Sequence, residues 1–161
     1  MIINPAVYTY DTIKETADKW RAAGLVVVFT NGCFDLIHTG HVRYLKQARE
    51  LGDLLVVGVN TDESISAIKG EDRPVMKLAD RLEILLALRW VDAVVPFSDS
   101  TPTELIRHVR PQILVKGGDW PLEKIAGREI VESYGGETVS LPFHDGTSTT
   151  AIINRIRSSS R

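Results

Sequence analysis

TNGCFDLIHTGHVRY, residues 30–44, joins the apolar run Leu25-Val26-Val27-Val28-Phe29 to an amphipathic segment that begins near Gly40. Between them lie Asn31, Gly32, Asp35, His38, Gly40 and His41, all small, polar or titratable. A buried strand that stops in such a turn and then starts a helix suits an anion site. The helix start offers unpaired backbone N–H groups and the positive end of its dipole. Two of the four histidines flank the step Thr39-Gly40, where the missing side chain lets phosphate approach the backbone. Taken alone, the same stretch reads as a glycine turn with two surface histidines, so its neighbours must decide.

Working outward, residues 1–10 read as an irregular lead-in interrupted by Pro5. Asp11 is the expected cap of a helix over 12–23, in which Ile13, Ala17 and Trp20 fall at helical spacing and Gly24 is the stop. A first strand over 25–30 leads into the turn, and a helix over 41–51 follows it. Leu54-Leu55-Val56-Val57-Gly58-Val59 is a second apolar strand that ends in Asn60-Thr61-Asp62. A short segment runs to Ile68, and the basic loop Lys69-Gly70-Glu71-Asp72-Arg73-Pro74 comes next. Further helices are expected over 79–89, from a cap at Ser100 or Thr101 to His108, over 122–134, and from 148 to 157. Strands are expected over 91–97, 113–115 and 137–141. Residues 158–161 should fray.

Short apolar strands alternating with helices predict one α/β domain over residues 1–161, with 1–24 as a helical lead-in. Its centre is a Rossmann-like, doubly wound, five-stranded parallel sheet covered on both faces. Ligands of such sheets bind beyond the C-terminal strand ends. There the polar segments converge: residues 30–41, 60–62, 116–119 and 143–150, with the basic loop close behind the second strand.

The 161 residues, 43% hydrophobic and 25% charged, suit a single cored domain. A net charge of −2 predicts no nucleic-acid or membrane surface. Cys33 is the only cysteine, so neither an internal disulfide nor a paired-cysteine zinc site is available. With no secretion-like N-terminus and no apolar run near the ~20 residues of a membrane span, a cytoplasmic location is expected. The GxGxxG fingerprint, the P-loop, HExxH and the Gly-x-Ser-x-Gly elbow are all absent. What remains are histidines, lysines, an arginine, backbone amides and hydroxyls. This set suits phosphoryl or nucleotidyl transfer, which depends on positioning and charge stabilisation.

His38-Thr39-Gly40-His41 matches the HxGH signature of the cytidylyltransferase-like nucleotidyltransferases. Gly146-Thr147-Ser148-Thr149-Thr150 resembles their second signature, a small-hydroxyl run opening a helix. Within that superfamily TNGCFDLIHTGHVRYL, KGEDRPV, LVKGGDW and FHDGTSTTAII resemble, in this order, the D-glycero-β-D-manno-heptose 1-phosphate adenylyltransferases. The resemblance covers residues 26–157. It implies transfer of AMP from ATP to the sugar 1-phosphate, giving ADP-heptose and pyrophosphate for lipopolysaccharide core biosynthesis. Mg²⁺ is implied with ATP, held by phosphates and water because the sequence shows no acidic cage. The family often fuses this domain to a sugar kinase; with no kinase-length region in these residues, a separate heptose kinase is expected upstream. Related enzymes pair through the sheet edge or the last helices, so a homo-oligomer is expected.

The resemblance implies catalytic roles for His38, His41, Lys69 and Arg73. It implies nucleotide contacts from Asn31, Gly32, Cys33, Phe34, His38, Gly40, His41, Lys116, Gly117, Asp119, Phe143, Gly146, Ser148, Thr149 and Thr150. Asp35, Lys69 and Arg73 are assigned to the sugar phosphate. The nucleophile is a phosphate monoester whose second pKa lies near ~6, so it needs no general base. His38 and His41 therefore bind the triphosphate and stabilise charge, and nearby anions would raise their pKa.

Each residue also has a plainer reading. Asp35 can bond its own turn, and Lys69 to Arg73 can be a solvated loop. Lys116 and Asp119 can be turn residues, although Gly117-Gly118 favours close backbone approach to a nucleotide. Asp62 can cap the next segment. Cys33 is not needed as a nucleophile. Trp90 and Trp120 read as packing or interface aromatics. His108 reads as surface, and His144 as a further candidate nucleotide contact. Two rival functions stand beside the first: a cytidylyltransferase for an alditol phosphate such as glycerol 3-phosphate, and a non-catalytic nucleotide-binding regulatory module. Glycerol-3-phosphate cytidylyltransferases carry an arginine where this chain has Phe143-His144, which argues against cytidine.

Overall fold

The computed structural model describes residues 4–118, 120–142 and 148–159. In chain order its elements are β1 (Ala6–Val7), α1 (Tyr10–Ala22), β2 (Val27–Gly32), α2 (Thr39–Arg49), β3 (Leu54–Asn60), α3 (Asp62–Lys69) and α4 (Leu78–Ala87). There follow β4 (Ala93–Phe97), α5 (Thr103–Val109), β5 (Ile113–Gly117), α6 (Arg128–Ser133), β6 (Glu137–Leu141) and α7 (Thr149–Ser159).

All strands run parallel in the order β1-β4-β3-β2-β5-β6. The sheet thus has six strands, not the expected five. The addition is β1, which pairs Ala6 with Ala93 and Val7 with Val94 inside the supposed lead-in. Pro5 has no N–H to give a ladder, yet it is tolerated beside an edge strand this short.

Side chains alternate across the sheet, and helices cover both faces. Val27, Phe29, Leu54, Val56 and Leu114 pack with Ile13, Ala17, Trp20, Leu105 and Val131 from α1, α5 and α6. Val28, Leu55, Val57, Val94 and Val115 pack with Leu45, Ala48 and Leu85 from α2 and α4. Burial on both sides is why β2 opens on the apolar Val27-Val28-Phe29 and β3 is apolar apart from Gly58 up to Asn60. Each fully buried Leu, Val or Phe contributes about 1.5–3 kcal/mol relative to exposure.

Several helix boundaries differ from expectation; α5, for one, starts after Pro102 with no side-chain cap from Ser100 or Thr101. Thr9, not Asp11, caps α1: its hydroxyl accepts from Thr12 N–H while the Thr12 hydroxyl accepts from Thr9 N–H at 2.8 Å. The segment 62–69 is a helix, capped by Thr61 through Ser64 N–H. The helix expected over 122–134 is broken into a 3-10 turn (Leu122–Lys124) and α6 by Gly127 at φ +92°. The backbone angle favours glycine there, and a Cβ at Gly127 would also come within 2.3 Å of the end of the Ile106 side chain, which would have to shift.

β2 pairs with β3 on one side and β5 on the other, and the strand order reverses at this point. The crevice beyond the C-terminal ends of β2 and β5 is where ligands of such sheets bind. No described helix is long and apolar enough to cross a membrane.

Candidate active site

The chain leaves β2 through a tight turn in which Phe34 adopts φ +46°, rare for a bulky residue. Phe34 is buried, and its ring sits 5.4 Å from that of His41. Gly32 makes room for it, since a Cβ there would come within 3.1 Å of the Phe34 ring. His38 is the N-cap of α2 but contributes no side-chain cap, so the helix keeps free N–H groups and the positive end of its dipole. The His38 and His41 rings lie 3.9 Å apart at 30°. Nδ1 of each is buried with no partner among the described residues.

In this state neither histidine favours a charge. Burial lowers His41 to about 4, helped by the adjacent His38 and by Lys69, and burial also lowers His38. Two neutral imidazoles at the head of a helix form a polar, uncharged cradle. An arriving polyanion reverses the balance and favours the protonated form.

Asp35 and Arg73 hold the next wall. The Arg73 guanidinium donates through Nε to Asp35 at 2.7 Å, and the same carboxylate accepts Val75 N–H and Met76 N–H, both at 2.9 Å. Burial alone would raise the Asp35 pKa; the two amides and Arg73 outweigh it and hold it below the usual range. Arg81, wholly buried on α4, continues the network. It donates to the Cys33 carbonyl at 2.6 Å, to Asp62 at 2.8 Å and to the Met76 carbonyl at 3.1 Å. The turn after β2, the start of α3 and the loop after α3 are thus tied through one guanidinium. Nη2 of Arg73 remains buried without a partner among the described residues.

Lys69, at the end of α3, and Arg73 line a cleft of about 220 Å³ with Thr150, Asn154 and Arg157 of α7. Arg157 also pairs with exposed Asp72 at 3.7 Å. Ser148 caps α7 through Ala151 N–H, and the Thr149 hydroxyl donates to the Leu36 carbonyl, so α7 is fastened to the turn after β2.

On the β5 side, the Tyr44 hydroxyl lies 2.6 Å from that of Thr30 and 3.3 Å from the Val115 carbonyl, joining β2, α2 and β5. Gly117 leaves room for the Tyr44 ring: a Cβ there would stand 3.0 Å from it. Lys116 lines a second cleft of about 200 Å³ with Asn31 and Trp120. Burial lowers its pKa, and the nearby Cys33 sulfur offsets part of that. Among the described residues no group of three or more His, Cys, Asp or Glu side chains could hold a metal ion.

The sequence profile of the cytidylyltransferase-like family matches residues 29–159. The chain belongs to that family. Bifunctional protein HldE from Geotalea uraniireducens is 54% identical over 93% of the chain, and that from Geobacter sulfurreducens 55% over 84%. Bifunctional protein HldE from Hahella chejuensis is 52% identical over 92%. The chain spans only 28–31% of the length of these relatives. A solved lipopolysaccharide core biosynthesis protein from Thermoplasma volcanium, 27% identical, superposes with a TM-score of 0.60, over 77% of this chain and all of that one.

In this cytidylyltransferase-like chain the sheet edge gathers Asn31, Gly32, Cys33, Phe34, Asp35, His38, Gly40 and His41 on the exit of β2. Lys69, Arg73 and Thr150 share the cationic cleft, with Ser148 and Thr149 at its helix start. Lys116 and Gly117 lie at the exit of β5. The predicted contacts Asp119, Phe143, His144 and Gly146 lie outside the described residues. Asp62 does not cap α3 but pairs with Arg81. Trp120, read as a packing or interface aromatic, is 49% exposed. Arg81 escaped the sequence reading, although one signal pointed to it. It lies four residues before Leu85 and three after Leu78, a lone charge on the apolar face of α4.

Proposed function

We propose that the chain transfers AMP from ATP to D-glycero-β-D-manno-heptose 1-phosphate, releasing pyrophosphate and ADP-heptose for lipopolysaccharide core assembly. Family membership and the HldE relatives support the reaction class and sugar. The observation that carries it is the stacked His38–His41 pair at the uncapped start of α2, with Lys69 and Arg73 in the adjoining cleft. Hydrogen-bond donors and cations of this kind suit the stabilisation of charge that develops on a transferring phosphoryl group.

The sugar phosphate is already a dianion at neutral pH. One of its oxygens forms a bond to the α-phosphorus in line as the bond from that phosphorus to the bridging β-oxygen breaks, and pyrophosphate leaves with the electron pair. His38 and His41 donate to the transferring phosphoryl oxygens, and the triphosphate's charge draws protons onto them. Cys33 and Phe34, with Ser148, Thr149 and Thr150 at α7, present backbone amides to the phosphates. Lys69 and Arg73 neutralise sugar phosphate or departing pyrophosphate, and Asp35 acts through Arg73 as a positioning residue. Mg²⁺ bound with the nucleotide would supply charge neutralisation at the phosphates, held chiefly by phosphate and water oxygens.

A heptose kinase must supply the anomeric phosphate. ATP as donor and a single unpaired Cys33 suit the cytoplasm. Product analysis tests the reading. ATP, Mg²⁺ and heptose 1-phosphate should yield ADP-heptose and pyrophosphate in equal amounts, whereas release of ADP or of inorganic phosphate alone would contradict nucleotidyl transfer.

A further inference from the structure

α2 carries His41 in its first turn with His38 as its N-cap, and apolar contacts alone do not fix where that start lies. Leu45 and Ala48 are wholly buried against the sheet. Such burial is non-directional, so it resists separation better than sliding. Among the described residues, side chains of α2 bond across to the sheet region at two points. At the C-terminal end, Arg49 donates through Nε to Asp92 at 2.9 Å, and that carboxylate accepts the N–H of Leu55 in β3 at 2.8 Å. Nearer the start, the Tyr44 hydroxyl meets Thr30 of β2 and Val115 of β5.

Proton counting gives these bonds a direction. The single Tyr44 proton is donated to the Val115 carbonyl at 3.3 Å, so the Thr30 hydroxyl, at 2.6 Å, is the donor to Tyr44. Burial pushes the Tyr44 pKa up to about 12, with the Thr30 hydroxyl and the Gly117 amide offsetting part of the rise. The phenol therefore stays protonated at neutral pH. Both side chains are buried, Thr30 wholly, so they act from beneath the site and not on a ligand.

Each contact stops one residue short of the crevice. Thr30 precedes Asn31, and Val115 precedes Lys116. Tyr44 follows His41 by three residues, which puts the two side chains on one face of α2, a turn apart. Gly117 completes the seat by leaving the space beside the Tyr44 ring open. Nδ1 of His38 and of His41 has no partner among the described residues, so the imidazoles take their position from the helix start and from the Phe34 ring beside His41.

We infer that Tyr44 is a positioning residue for nucleotidyl transfer: its hydroxyl, held between Thr30 and Val115, fixes the start of α2 so that His38 and His41 face the exits of β2 and β5 in reacting geometry. This role rests on the function proposed above and adds to it a group that touches no substrate. A catalytic group displaced by about 1 Å can lose on the order of a hundredfold in rate.

Three variants separate positioning from packing. Tyr44→Phe removes the hydroxyl and keeps the ring, Thr30→Val removes its partner and keeps the shape, and Thr30→Ser keeps a hydroxyl. Pyrophosphate release from ATP, Mg²⁺ and heptose 1-phosphate is measured on samples shown to be folded by circular dichroism and thermal midpoint. Tyr44→Phe and Thr30→Val should each lower kcat roughly ten- to hundredfold and leave both KM values little changed. Thr30→Ser should keep near-wild-type kcat. The double variant Tyr44→Phe/Thr30→Val should lose no more than either single one, because the same bond is broken in each. Wild-type kcat in Tyr44→Phe with only the thermal midpoint lowered would overturn the inference, as would losses that multiply in the double variant. A second readout needs no turnover. In NMR spectra the imidazole Cε1–H signals of His38 and His41 should move in Tyr44→Phe while that of His108 stays; unmoved signals, or an equal movement at His108, would overturn it. Wild-type protein that releases no pyrophosphate would contradict the proposed function instead, and the imidazole signals would then decide the part played by Tyr44.

Discussion

The Asp35 carboxylate holds the Arg73 guanidinium at 2.7 Å while accepting the backbone N–H groups of Val75 and Met76. A residue on the exit of β2 thus fixes the conformation of a loop some forty residues later. That coupling places the cationic cleft beside the histidine pair. Asp35→Asn keeps the shape but removes the charge opposite Arg73. Breaking a buried pair from one side costs about 3–5 kcal/mol, and this near-isosteric change should fall at the low end. Urea unfolding should show the loss. In steady-state kinetics the KM for sugar phosphate should rise more than that for ATP.

Arg81 makes three contacts with no exposed surface, so it cannot be relieved by water. Arg81→Lys keeps the charge but loses the forked geometry that reaches Cys33, Asp62 and Met76 together. Destabilisation of about 3 kcal/mol or more is expected, with turnover reduced in the fraction that folds. Thermal unfolding with and without ATP measures both. A midpoint within a degree of wild type would contradict the clamp.

His41→Ala removes one donor to the transferring phosphoryl. kcat should fall roughly 10²–10³-fold, the usual cost of one such donor, with the fold intact. Circular dichroism and pyrophosphate release on the same sample decide this. Normal turnover would take His41 out of the site.

The histidine pair also sets a pH dependence. His41 stands at about 4 in the folded chain against an ordinary 6.5. Between these values the unfolded chain binds a proton that the folded chain refuses, so stability falls as pH drops from about 6.5 towards 4. Asp35, whose folded pKa is depressed, loses its contribution at lower pH still. Chemical denaturation across this window should show the decline. His41→Asn should flatten it, and saturating nucleotide should offset it by favouring the protonated form.

Much of this architecture was legible because the buried starts of β2 and β3 are apolar on both faces, Val27 to Phe29 and Leu54 to Val57. The HTGH turn was legible because titratable residues rarely cluster where a strand hands over to a helix. β1 was not, since two edge residues, with Val7 51% exposed, carry no period. The break at Gly127 was hidden because its cause is tertiary: Ile106, twenty-one residues earlier, fills the space of the missing side chain.

The most direct measurement is pyrophosphate release with Mg²⁺, crossing ATP and CTP against heptose 1-phosphate and glycerol 3-phosphate. Turnover confined to ATP with the heptose 1-phosphate is the expected result. Turnover with CTP and glycerol 3-phosphate would contradict it and make the chain a cytidylyltransferase for an alditol phosphate. Silence in all four combinations, from protein that still binds nucleotide, would contradict catalysis on these substrates and favour a regulatory nucleotide-binding module.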